Sequence, residues 1–270
     1  MVKIFVFIAL IIMIGLIATC ALQLKPAAFG TDVAMVAATA SIPPGPEGAL
    51  IRYGQNIFVH TPQFAGKYIS AKMSCAACHP GGGTEPHANS LLGVYAKFPQ
   101  WNQRSRRFIA LQDRIAECFL RSSNGRPPAY ESREMIAIVA YMAWLSRGAK
   151  VGEGFPNQGL ISIHPAHQPD VRAGERIYDS VCMRCHGANG AGYADRYPPV
   201  WGPWSFNDGA GMNRLSKMAP FVKYAMPADN PNTLTAQDAY DVSAFVLSHP
   251  RPHFKSRKPV SFPDHPAGYF

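Results

Sequence analysis

The chain has 270 residues and a formal net charge of +9, yet only 16% of its residues are charged, and it holds 24 prolines and 23 glycines. That length admits two small domains of about 100 residues each, plus an extension. The composition is that of a compact, loop-rich chain wrapped around something other than its own side chains, and it argues against a cytosolic enzyme.

Ile4 to Leu22 carry no charged side chain. Nineteen residues at about 1.5 Å each nearly match a hydrocarbon core of about 30 Å, which predicts one N-terminal transmembrane helix. Residues 1–24 are thus a membrane anchor or a signal segment. A cleaved signal has a shorter apolar core with a small-x-small site close behind it, whereas Ala38-Thr39-Ala40 lies far downstream. A lipid-modified Cys20 is disfavoured by Thr19 before it. Lys3 on one side against Lys25 on the other gives only a weak orientation bias. Residues 25–48, rich in Ala, Pro and Gly and closing on Pro43-Pro44-Gly45-Pro46, read as a tether.

From there the chain repeats one plan. In the first half, residues 49–148, a helical stripe of Ile51, Gly54, Ile57 and Phe58 precedes Cys75-Ala76-Ala77-Cys78-His79. A second helical segment runs from Leu111 to an Asn124-Gly125 finish, and a last one carries Met135, Ile138, Val139 and Met142 before a stop at Gly148. Residues 149–169 form an interdomain linker. In the second half, residues 170–250, Val171, Gly174, Ile177 and Tyr178 precede Cys182-Met183-Arg184-Cys185-His186. Ala239, Val242 and Val246 then mark a last helix, opened by a Thr235/Asp238 capping box and closed by His249-Pro250. Glycine and an aromatic keep an i, i+4 spacing both times. A glycine there lets the first helix cross closely against the last. Little in either half looks like strand, and residues 251–270 read as an extended tail.

C-x-x-C-H twice in one exported chain is the signature of two covalent c-type haems. The thiols form thioethers to the haem and the adjacent histidine supplies an axial nitrogen to iron. A zinc site would pool the two motifs as four ligands, and a redox C-x-x-C has no need of the histidine. Cys75, Cys78, His79, Cys182, Cys185 and His186 are therefore the cofactor-binding residues. The fold class is all-α, with two tandem cytochrome c domains, each with one covalent haem, preceded by a single N-terminal transmembrane helix. Haem attachment takes place outside the cytoplasm, so the chain belongs on the periplasmic side of the bacterial inner membrane, N-terminally anchored. Four ionised haem propionates would lower the net charge to about +5, which makes nucleic acid a poor partner and an anionic substrate or acidic protein a better one.

The opposite face of each iron distinguishes the halves. Met226, followed by Pro227, lies 40 residues past His186 and is the thioether candidate in the second domain, with Met218 as rival and Met212 and Lys223 weaker. The first domain has no methionine between His79 and Met135. Cys118, 39 residues past His79, is there the only soluble-region cysteine outside the haem motifs, with His87 and Lys97 as alternatives.

The chain resembles the dihaem thiosulfate dehydrogenases, which are akin to the haem subunit of the bacterial sulfur-oxidising system. The likeness rests on Cys75 through Thr84, the run Glu117 to Pro127 around Cys118, Trp201 to Asn207 with Gly209 to Met212, and Ala225-Met226-Pro227, and it covers about Gly48 to Pro252. It implies a catalytic first haem ligated by His79 and Cys118, and a second, electron-accepting haem ligated by His186 and Met226. It also implies a substrate pocket of Arg104, Arg114 and Ser122. Some members place Lys or Asn directly before the methionine; here Ala225 stands there.

Chemistry points the same way. Arg104, Arg106, Arg107, Arg114, Arg121 and Arg126 crowd one stretch, and guanidinium forks suit the oxygens of a small dianion such as thiosulfate or tetrathionate. Arg114 and Ser122 lie one helical turn either side of Cys118, on one face. Cys118 would form a Cys-S-S-sulfonate adduct that a second thiosulfate attacks. Electrons would leave for a soluble cytochrome c, a high-potential iron-sulfur protein or a terminal oxidase. The alternative is a membrane-tethered dihaem electron carrier, or a subunit of a larger respiratory complex, without its own substrate.

Overall fold

The computed structural model describes residues 41–155, 158–193 and 196–255. Within them two helical units follow one another. The first contains α1 (Gly45–Val59), α2 (Leu111–Arg121) and α3 (Arg133–Trp144). The second contains α4 (Val171–Ile177), which runs on through a wider turn into the Cys182 motif, then α5 (Leu215–Ala225) and α6 (Ala236–Ser248).

The helix ends follow from their caps. The Ser132 hydroxyl accepts the Met135 N–H at 3.2 Å to open α3. In α6 Thr235 and Asp238 form the reciprocal box, each side chain taking the other's backbone N–H at 3.0 Å. Helix α2 begins with the Ala110 N–H bonded to Asp113 at 3.0 Å, and has Arg121 in its last turn, so both ends suit the helix dipole.

In each unit the first and last helices cross at a glycine. A Cβ on Gly54 would run into the Ala137 carbonyl of α3, and one on Gly174 into the Asp241 carbonyl of α6. The aromatic four residues on packs beside each crossing. Phe58 lies 5.6 Å from the Tyr141 ring, and Tyr178 lies 4.8 and 5.4 Å from Trp201 and Phe245. Around Phe58 gather Ile51, Leu111, Met142 and Leu145; around Tyr178 gather Phe206, Met218, Val242 and Val246. That second cluster also takes in Ala71 and Met73 from the first unit, so the apolar interior runs across the boundary.

Two short antiparallel ladders depart from a purely helical reading. Strand β1 (Ala88–Ser90) pairs with β4 (Gly159–Leu160), and β2 (Gln100–Asn102) pairs with β3 (Arg107–Ile109). Segments of two or three residues are too short to display alternation, which is why the sequence did not mark them. The first ladder ties part of the linker to the body, with Leu160 packed against Ala88, Phe221 and Ala225. The start of the tail is extended over the second unit: the Pro250 and Pro252 carbonyls accept from Gly202 and Asp208 at 2.9 and 3.0 Å.

The transmembrane helix is corrected. Among the described residues no helix is long and apolar enough to cross a membrane, so the fold is two helical units without a demonstrated span, and membrane contact and an anchored location are without support from the structure. Residues 4–22, on which that expectation rested, lie outside the described residues. An uncharged stretch of the right length meets one condition for a span, and other apolar segments meet it too.

Candidate haem sites and an adjoining anion cavity

Each C-x-x-C-H motif holds its histidine in one orientation. His79 Nδ1 lies 2.7 Å from the Asn89 carbonyl, and His186 Nδ1 lies 2.9 Å from the Pro198 carbonyl. With Nδ1 donating, Nε2 carries the free lone pair, the arrangement that a metal-binding imidazole requires. Asn89 sits at φ 64° and its amide donates to the Cys78 carbonyl at 3.1 Å, locking the same turn. Burial lowers His79 to about 4, helped by the Arg114 charge, and burial likewise lowers His186. Both rings are thus neutral at ordinary pH, the form that metal binding requires.

The four motif cysteines are free of disulfides. Burial pushes Cys75 up to about 11, Cys78 to about 12 and Cys182 to about 11. A cavity of about 740 Å³ is lined by Ala76 and Ala77 of the first motif, by Cys182, Cys185 and His186 of the second, and by Met226. A narrower void is lined by Cys78, Cys182, His186, Met218 and Met226. Paired thiols and an imidazole with Nε2 free fit a covalently attached haem at each motif, and at the second motif they face largely apolar walls.

Met226 caps the end of α5 and lines both voids, whereas Met212 and Met218 line only the narrower one. Lys223 turns away, its ammonium donating to the Asn232 carbonyl at 3.0 Å. In the first unit His87 lies against the Tyr224 ring at 5.8 Å, and the Lys97 side chain lies beside Gly154. Cys118 on α2 is half-buried, and a charge on it raises both Cys75 and Cys78, which places its sulfur in the neighbourhood of the first motif.

Beside Cys118 opens a second cavity of about 420 Å³, lined by Arg104, Arg114, Glu117, Arg121, Ser122 and Arg214 among others. They come from the β2–β3 hairpin, from α2 and from the start of α5. Arg104 sits at the tip of the β2–β3 hairpin, where the Asn102 carboxamide oxygen accepts the Arg104 and Ser105 N–H groups at 2.9 and 3.1 Å. Arg114 is one turn before Cys118 on α2, with Nη1 3.4 Å from Sγ and 3.6 Å from Glu117 Oε2. Ser122 caps the end of the same helix. The cations feel one another. Arg104 is lowered by partial burial and by Arg214 and Arg114, Arg121 by partial burial and by Arg104, while Arg114 is raised chiefly by a charged Cys118.

Of the six arginines in the 104–126 stretch, then, three face this cavity. Arg107 instead pairs with Asp113 at 3.7 Å. Sequence reasoning missed Glu117, Asn102 and above all Arg214, which enters from the second unit and carries no signal in local spacing.

Two family models match separate parts of the chain. The family described as "SoxA/TsdA, cytochrome c domain" matches residues 62–151, and "Cytochrome C oxidase, cbb3-type, subunit III" matches residues 169–246. A thiosulfate dehydrogenase of Allochromatium vinosum is 41% identical over 229 residues, covering 82% of this chain and 85% of that one. The chain belongs to the thiosulfate dehydrogenase family. A second thiosulfate dehydrogenase, from Stutzerimonas stutzeri, is 36% identical over 216 residues, 78% of this chain and 70% of that one. Among solved structures, the thiosulfate dehydrogenase TsdBA from Marichromatium purpuratum superposes with a TM-score of 0.75 at 31% identity, over 78% of this chain. This chain spans about half of that longer one, 48% of its length. Family membership makes haem c the cofactor of both cytochrome c domains.

Proposed function

We propose that this protein is a periplasmic dihaem thiosulfate dehydrogenase. It joins two thiosulfate dianions into one tetrathionate dianion and releases two electrons to an exported electron acceptor. The observation that carries the reading is the sulfur of Cys118 lying 3.4 Å from the Arg114 guanidinium at the edge of a cavity ringed by further arginines. A pure electron carrier has no use for a cavity lined by four guanidinium groups, one of them in contact with a thiol.

His79 with Cys118 would hold the iron of the first haem, and His186 with Met226 that of the second. When bound, the two haems supply two one-electron acceptors, which matches the two electrons released. The remaining chemistry belongs to side chains. Arg104 and Arg114 hold the sulfonate oxygens through charge-assisted hydrogen bonds, and Ser122 offers a hydroxyl donor one turn past the sulfur. Arg114 places a permanent positive charge beside Sγ. Cys118, as thiolate, bonds to the terminal sulfur of the first thiosulfate with loss of two electrons, giving a Cys-S-S-sulfonate. The terminal sulfur of a second thiosulfate then attacks that adduct at the sulfur joined to sulfonate, which frees the Cys118 thiolate and releases tetrathionate.

The test is Cys118→Gly in the haem-loaded protein, assayed with thiosulfate and ferricyanide. Turnover is abolished and the spectrum of the first haem changes, while the second haem's spectrum stays as in the wild type. Retained turnover rules the chemistry out.

A further inference from the structure

The anion cavity is not built by one domain. Arg214 is the residue at which α5 begins, and it reaches the cavity from the opposite unit. Its segment is fastened across the boundary: Asn207, fully buried, donates from Nδ2 to the Leu120 carbonyl at 2.9 Å and to Asn124 Oδ1 at 3.1 Å. Its backbone N–H donates to the Arg121 carbonyl at 3.1 Å. All three acceptors lie at or just beyond the C-terminal end of α2, the helix that carries Cys118. The loop that leads to Arg214 is therefore held directly against the catalytic helix.

The cavity holds more guanidinium groups than one sulfonate engages. Four guanidinium groups, Arg104, Arg114, Arg121 and Arg214, face one carboxylate, Glu117, and that carboxylate pairs with Arg114. Among the described residues no carboxylate forms an ion pair with Arg104, Arg121 or Arg214. Three guanidinium groups thus stand without a carboxylate partner, contributed by the β2–β3 hairpin, by α2 and by the start of α5. Arg121 adds a buried Nε with no hydrogen-bond partner, its guanidinium held at 4.4 Å over the Phe254 ring. The product has a sulfonate at each end of its sulfur chain, and three S–S bonds of about 2.05 Å separate those ends by roughly 4–6 Å. Two sulfonates at that spacing need two sets of cations.

We infer that the cavity contains two anion subsites, and that Arg214, supplied by the second domain, binds the sulfonate of the second thiosulfate. This deepens the proposed function and rests on it. Arg114 and Ser122 serve the first thiosulfate, at the sulfur of Cys118. The second enters against Arg214 with its terminal sulfur toward the adduct; the new S–S bond forms as the bond from Cys118 to the outgoing sulfur breaks, and no net electron is transferred in that step. Asn207 is a positioning residue for this subsite.

The experiment uses the haem-loaded protein and the variants Arg214→Gln and Arg214→Lys, which keep the visible spectra of both haems. In steady state with thiosulfate and ferricyanide, Arg214→Gln lowers kcat/KM by about 10- to 100-fold, the scale of one charge-assisted hydrogen bond, and Arg214→Lys falls between. Stoichiometric thiosulfate without acceptor separates the halves. Arg214→Gln still gains the Cys118 adduct by intact mass and still reduces its haems as the wild type does, but releases tetrathionate more slowly when further thiosulfate is added. An active wild type with an indifferent Arg214→Gln overturns the subsite alone, as does adduct formation that falls in step with turnover. A wild type inert toward thiosulfate overturns the parent reading and the subsite together.

Discussion

Replacing Asn207 by alanine tests how firmly the two domains are joined behind the site. The side chain is 1% exposed and makes three hydrogen bonds, two to domain 1 and one from the Gly209 N–H to Oδ1 at 3.1 Å. Each is worth about 1 kcal/mol net, and stranding buried partners costs more than the mean, so the loss should be about 2–4 kcal/mol. Part of that cost falls on the Leu120 carbonyl, one of the last carbonyls of α2, which lack partners within the helix. Urea denaturation of the haem-loaded protein, followed by tryptophan fluorescence and haem absorbance, reads the loss directly. Thiosulfate kinetics should show a raised KM with less change in kcat, since the loop carrying Arg214 loses its anchor while Cys118 keeps its helix. Asn207→Asp should be at least as damaging, because it sets a carboxylate against two oxygen acceptors. A loss below about 0.5 kcal/mol for alanine, or an aspartate variant equal to the wild type, would refute the reasoning.

Gly174→Ala should destabilise the second unit by about 1–3 kcal/mol, since its Cβ meets the Asp241 carbonyl and backbone cannot step aside as a side chain can; thermal unfolding monitored at the haem bands measures it, and no change would mean the helices cross elsewhere. The C-terminal segment should undock in acid. Asp208 is held below its usual 3.8, first by the Phe254 N–H at 2.7 Å and then by His253 at 2.6 Å. A depressed carboxyl contributes stability that is present above pH 3.8 and lost as pH falls through its lower folded value. Protection of the Phe254 amide from hydrogen exchange, taken relative to Asp208→Ala, should therefore hold at neutral pH and vanish in strong acid, and a ratio independent of pH would contradict it.

Much of the scaffold was legible because it depends on short-range spacing. Gly54 with Phe58 and Gly174 with Tyr178 announce a helix crossing and its aromatic neighbour through an i, i+4 interval, and both crossings form as expected. The Thr235/Asp238 box is equally local. The ladders were not legible, since pairing Ala88 with Leu160 depends on a contact over seventy residues away and neither segment shows alternation. The membrane helix is without support for another reason: no described helix is long and apolar enough to span, and an uncharged stretch of nineteen residues matches a thickness, which alone does not identify a span.

The anion cavity divides along the same line, and the division explains the architecture. Arg114, Cys118 and Ser122 sit four residues apart on one helix, so their shared face could be read directly. Arg214 could not be read, because what brings it there is a buried amide, Asn207, bonded to residues more than eighty positions earlier. The repeated plan suggests two independent cytochromes, but three features argue against independence. The second core encloses Ala71 and Met73 of the first unit, the Trp204 carbonyl accepts the Lys72 N–H at 2.8 Å, and the second domain supplies a cation to a cavity that adjoins the first domain's cysteine. The same helix α5 that Arg214 caps at its start is capped at its end by Met226, twelve residues or about 18 Å on, where that sulfur lines the second haem's cavity. One rigid element thus spans from the anion cavity to the cradle of the second haem, which a pair of freely moving domains could not maintain.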